Sequence, residues 1–195
     1  RQYAALGLVM LMLTPVTALA HREVGQATGF LSGFEHPISG LDHVLAMIAV
    51  GLWGAVLGPP ALWVLPVAFP VMMAFGGFMG LLGFPLPGVE IGIAISAVVL
   101  GAMVLIQLRP PLWIAAALVA FFAIFHGHAH GRELPEGASA LLYSLGFVVA
   151  TGLLHAVGIL LGEAHRWSAG HRAVRAAGGG VALAGLFFLW RAVLA

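Results

Sequence analysis

Six long apolar stretches, at residues 39–58, 61–83, 88–108, 111–130, 138–162 and 176–195, constrain this chain more than any other feature. Each approaches the ~20 residues that a helix needs to cross a bilayer core. The breaks carry helix-stopping punctuation: Pro59-Pro60, Pro85-Leu86-Pro87-Gly88, Arg109-Pro110-Pro111, Pro135-Glu136-Gly137, and a polar stretch from Glu163 to Arg175. Of the 195 residues, 62% are hydrophobic and 8% charged, with a mean hydropathy of +1.07. A soluble domain carries about 25% charged residues, and this chain has too few to cover its own core. A soluble enzyme and a disordered binder are therefore excluded. The sequence predicts an all-α integral membrane protein, a single bundle of six transmembrane helices over residues 21–195.

Residues 1–20 read as a signal-peptide-like segment: Arg1, the apolar run Tyr3–Leu19, then Ala18-Leu19-Ala20 before His21 and Arg22. An uncleaved extra span is the alternative, and both place His21 outside the cytoplasm. Arg109, Arg166, Arg172 and Arg175 then fall in cytoplasmic loops, against Arg22 and Arg132 outside, which agrees with the positive-inside bias. The expected location is the bacterial inner membrane, with the mature N-terminus periplasmic. Gly54/Gly58, Gly76/Gly80 and Gly158/Gly162 have the four-residue spacing that lets helices approach closely in lipid. Pro66 and Pro70 should kink the second span and free backbone carbonyls.

Seven acids against eight arginines, with no lysine, leave no basic field for nucleic acid. Without cysteine there are no disulfides, thiolate zinc sites or iron–sulfur clusters, so any metal must be held by His, carboxylate, Met, backbone or water. Ionisable groups inside spans are expensive and usually face a bundle interior or a water path. Here they gather at span ends: Glu35-His36-Pro37-Ile38-Ser39-Gly40-Leu41-Asp42-His43 opens the first mature span, Glu90 the third. Phe125-His126-Gly127-His128-Ala129-His130-Gly131-Arg132-Glu133 closes the fourth. In an up-and-down bundle these ends share one side of the membrane. Neutral imidazoles with a few carboxylates suit nickel, cobalt or zinc, and the carboxylates would offset the ion's charge at low dielectric.

Helical spacing ranks the ligands. His36 and His43 are seven residues apart and nearly share a face if one helix starts early enough, with Pro37 tolerated in its first turn. Asp42 points about 100° from His43. His126 and His130 share a face, while His128 points away and reads, like His21, as a solvated loop histidine. Met47, Met72 and Met73 read as packing residues. His165 and His171 read as ordinary polar residues of the last loop, Glu35 and Glu136 as interfacial. His155, deep in the fifth span, either hydrogen-bonds a neighbouring helix or offers a step toward the cytoplasm.

The stretch from His36 through Met47, Val50 and Gly51 resembles the first-span signature of the HupE/UreJ family, and Phe125–Gly131 with Glu133 resembles its second. That family is described as secondary nickel or cobalt permeases serving nickel–iron hydrogenase or urease assembly. The resemblance implies functional roles for His36, Asp42, Glu90, His130 and Glu133, and adds Phe69, in the Phe69-Pro70 pair, as a pathway-shaping residue. A second nickel-permease family also places His and Asp-His on one helix, but with four residues between His and Asp. Here five intervene, Pro37 through Leu41, so ligand geometry does not transfer.

The expectation is a permease for Ni²⁺, with Co²⁺ as the alternative cargo. Its outer metal site would draw on His36, Asp42, His43, Glu90, His126, His130 and Glu133, and its path on Phe69, His128 and His155. Expected partners are the divalent ion (Zn²⁺ binding included), the lipid bilayer and cytoplasmic nickel-handling proteins; no organic cofactor is expected. Two rivals stand beside it: a zinc-dependent intramembrane hydrolase, with Glu90 or Glu133 as general base, and a metal-binding accessory subunit that moves no ion. A permease needs a polar or Gly-lined path past His155; a hydrolase needs a closed floor and a lateral opening to lipid.

Overall fold

The computed structural model describes residues 29–133 and 137–194. The signal-like segment, His21, Arg22 and Glu136 lie outside the described residues. The chain runs through α1 (Gly29–Ser39), α2 (Leu41–Leu57), α3 (Ala61–Leu81), α4 (Val89–Ile106), α5 (Leu112–Arg132), α6 (Ala140–Gly162) and α7 (Ser168–Leu194). A short 3-10 turn, Glu163–Arg166, joins the last two. No strand occurs among the described residues. Five helices are each long and apolar enough to cross a bilayer, and α1 with α2 supplies a broken sixth.

That broken span corrects the expected single helix over 39–58. The α1 and α2 axes differ by 82° at Gly40, which takes an extended conformation at φ −98° and ψ 114°. Local hydrogen bonds make the break. The Ser39 hydroxyl donates to the His36 carbonyl at 2.7 Å, closing α1, and Asp42 Oδ1 accepts the His43 backbone N–H at 2.9 Å. Pro37 therefore sits near the end of α1, not in a first turn, and His36 and His43 share no helix face.

A second correction concerns the stretch from Glu163 to Arg175. Only the 3-10 turn and Trp167 interrupt the helices there, and α7 starts eight residues before the expected apolar run at 176. A helix satisfies its backbone internally, so it can extend through polar residues beyond an apolar run. Arg175 on this extension donates from Nε to the Leu105 carbonyl at 2.9 Å, satisfying the C-terminal end of α4.

In the bundle, α3 packs along α5, α4 along α7, and α2 along α6; α2 also meets α3, α4 and α7. Most of α2 is buried from His43 to Val56, as a helix apolar on every side must be. The closest approach joins α3 to α5, where a Cβ added at Gly127 would strike the Met73 carbonyl, and one at Gly76 the Ile124 carbonyl. Without a hydrophobic drive between helices in lipid, such backbone contact is what holds them. Gly158 likewise lies on the Ile48 carbonyl of α2, whereas Gly58 ends α2 at φ 75° and touches no neighbour.

Candidate metal site

Histidines at the end of α1, the start of α2 and the end of α5 lie ring against ring and form the site. His126 and His130 stand one turn apart on the buried face of α5. The bend at Gly40 carries His36 across to them. His36 Nε2 lies 2.8 Å from Glu133 Oε2, and His130 Nδ1 lies 3.8 Å from the same oxygen. One ligand atom from each of His36, His130 and Glu133 falls within 4.8 Å of the others, a spacing that small movements would close around a metal ion. The neighbouring His130 ring, and then His36, hold the Glu133 carboxyl at about 2, below its usual 4.5, against the upward effect of partial burial.

Behind this triple the imidazoles continue inward as a ladder. Ring centroids are 4.6 Å apart from His36 to His130, 4.4 Å from His130 to His43, and 4.7 Å from His43 to His126. Side-chain exposure falls from 55% at Glu133 and 27% at His36 to 8% at His130, and His126 is fully buried. The ladder thus descends from the surface into the bundle. Phe147 of α6 packs against His130 at 4.4 Å and Tyr143 against His36 at 5.8 Å, walling the upper rungs.

Hydrogen bonding leaves lone pairs available on the rungs. Asp42 Oδ1 lies 3.0 Å from His43 Nδ1; a carboxylate accepts, so Nδ1 carries the proton and Nε2 keeps its lone pair. Ser96 Oγ donates to the Ile93 carbonyl at 2.6 Å and lies 2.9 Å from His126 Nε2. Its single proton is committed, so Ser96 accepts from Nε2 and the lone pair of His126 is on Nδ1. His43 Nε2, His126 Nδ1 and both nitrogens of His130 are buried without a partner. Buried polar groups are nearly always paired. A run of unpaired imidazole nitrogens is a donor set for a divalent cation of the borderline class.

Six of the seven expected ligands are brought together: His36, Asp42, His43, His126, His130 and Glu133. They form a tight triple followed by successive rungs, not the single pocket that the sequence suggested, and Asp42 acts on the site through His43. Glu90 is not drawn in. It is exposed at the start of α4 and takes part in no hydrogen bond or ion pair among the described residues. His128 corrects the expectation of a solvated histidine: it is fully buried, its Nε2 2.7 Å from the Phe84 carbonyl, where it tethers the loop after α3. Phe69 and His155 lie beyond His126. The Phe69 ring lies 5.4 Å from His126 and 5.3 Å from His155.

Sequence reasoning missed Ser96, Tyr143 and Phe147. Ser96 was detectable as a lone hydroxyl among apolar residues; the two aromatics are indistinguishable from core in an apolar span. It also missed a cleft of about 260 Å³ between α3 and α6, walled by Pro70, Met73, Phe78 and Phe147, with His130 reaching into it.

The family model described as "HupE / UreJ protein" matches residues 9–188. The chain is 47% identical over 173 residues to "Protein HupE" of Rhizobium leguminosarum bv. viciae, a match covering 88% of this chain and 91% of that protein. No solved structure matches. With a family match across nearly its whole length and its two histidine-rich signatures folded against each other, the chain belongs to the HupE/UreJ family.

Proposed function

We propose that the protein is a secondary permease that takes up Ni²⁺, with Co²⁺ as the alternative cargo, across the bacterial inner membrane for hydrogenase or urease assembly. The observation that carries this reading is the ladder of unpaired imidazole nitrogens running inward from Glu133 to His126 and, past Phe69, to His155. An accessory subunit that only binds metal has no use for rungs beyond the outer triple.

In this mechanism the ion sheds water at His36, His130 and Glu133. Glu133 and Asp42 offset its two charges at the mouth, where an uncompensated ion is costly. Neighbouring rings 4.4–4.7 Å apart then let one imidazole take over coordination before the previous one lets go. Each holding is partial, as conduction requires. The arginines at Arg109, Arg166, Arg172 and Arg175 cluster at the opposite end from the triple, which supports a periplasmic mouth. Residues 21–195 would act as one domain, with cytoplasmic nickel-handling proteins receiving the ion.

Purified protein in liposomes tests the reading through Ni²⁺ uptake. Wild-type vesicles should fill, and His36→Ala and His130→Ala should each lower the initial rate at least tenfold. Metal binding without uptake in the wild type would overturn it in favour of the accessory role. Zn²⁺-dependent cleavage of a lipid or peptide, without uptake, would establish the hydrolase rival instead.

A further inference from the structure

Beyond the Phe69 ring lie three polar groups that the outer ladder does not use. His155 of α6 is 1% exposed and neither ring nitrogen has a hydrogen-bond partner. Thr151, one turn earlier on the same face, is fully buried with Oγ1 unpartnered. A helical threonine commonly returns its hydroxyl to a carbonyl of its own helix; this one does not. The third group comes from α3. Pro70 has no N–H, so the Pro66 carbonyl loses its intrahelical partner, and it lies beside the His155 ring.

We propose that His155, Thr151 and the Pro66 carbonyl form a second, inner cation station, screened from the outer histidine ladder by the Phe69 ring. Its ligands are an imidazole, a hydroxyl and a carbonyl, which suit a first-row divalent ion of the class the ladder accepts. None carries a charge. An ion there keeps its charge uncompensated, so the station binds more weakly than the outer triple with its carboxylate. Weak, neutral coordination favours rapid release, and the kink at Pro70 is then part of the site, because a regular helix would present no free carbonyl at this depth. The direction of travel rests on the permease reading; the existence of the station does not.

The decisive experiment is a Co²⁺ titration of the full chain in detergent, read by visible absorption, with the outer donors removed by His36→Ala, His43→Ala, His126→Ala, His130→Ala and Glu133→Gln together. That background should still bind one Co²⁺, at least tenfold more weakly than wild type. Adding His155→Ala should abolish this binding, and Thr151→Val should weaken it severalfold. If Co²⁺ binding in that background is absent or indifferent to His155, the station is overturned and the three groups are bridged by water only. If His155→Ala elutes as aggregate, His155→Gln and Thr151→Val decide by the same criterion. Ni²⁺ flux separates the two readings. His155→Ala alone should keep outer-site affinity within twofold and lose at least tenfold in uptake. A wild-type protein that moves no Ni²⁺, yet holds a His155-dependent ion, would sink the permease and leave the station standing.

Discussion

Ser96 fixes the tautomer of His126: its hydroxyl, 2.6 Å from the Ile93 carbonyl, has no proton left for the Nε2 it meets at 2.9 Å. A small residue of α4 thereby decides which nitrogen of an α5 histidine can bind metal. Partners of this kind typically change metal affinity by about 10–100-fold. Ser96→Ala should lower Ni²⁺ uptake by roughly that factor, while helix content and elution volume stay unchanged. Uptake at the wild-type rate would show that His126 is no rung.

Asp42 plays the same part for His43, and Gly40 makes room for it. A Cβ at Gly40 would sit 2.9 Å from Asp42 Oδ1 and 3.1 Å from His43 Nδ1. Asp42→Asn should weaken Ni²⁺ binding roughly 10–100-fold by calorimetry. Gly40→Ala should move affinity the same way by a smaller factor, since Gly40 has a negative φ and only the clash is at issue. Equal affinities for Gly40→Ala and wild type would separate the pair from metal capture.

Acid should act on the site in two ways. Metal binding requires neutral imidazoles, so Ni²⁺ affinity should fall on acidification. Glu133 stays ionised down to mildly acid pH, because its carboxyl is held at about 2. A depressed carboxylate stabilises the fold fully above its unfolded value of 4.5 and loses that contribution as pH falls toward 2. Glu133 is half exposed, so the contribution is small. The Tm difference between wild type and Glu133→Gln, without metal, should be constant from pH 7 to about 5 and shrink below 4.5.

The contact between α3 and α5 positions the end of α5 that carries His130, and it depends on missing side chains. Gly127→Ala would drive a methyl into the Met73 carbonyl. Overpacking of this kind costs about 1–3 kcal/mol, and backbone on the far side cannot yield as a flexible side chain would. Thermal unfolding in detergent should show a clear drop in Tm. Gly152→Ala, which meets no neighbour within 4 Å, should leave it unchanged.

The chain by itself determined its class and narrowed its chemistry. Runs of apolar residues broken by proline and glycine announce spans, because hydropathy is a property of each segment alone. The lack of cysteine, and histidines and carboxylates at the ends of spans, leave oxygen and imidazole donors, the set on which the proposed divalent cation rests. Tertiary structure decided which of those groups meet. The bend at Gly40 delivers His36 to His130, against a spacing argument that assumed one helix. Glu90 stays outside, His128 turns to the Phe84 carbonyl, and Ser96 reaches His126 from another helix. Such contacts depend on the register and rotation of helices against one another, which backbone approach at Gly76 and Gly127 sets and no local pattern encodes.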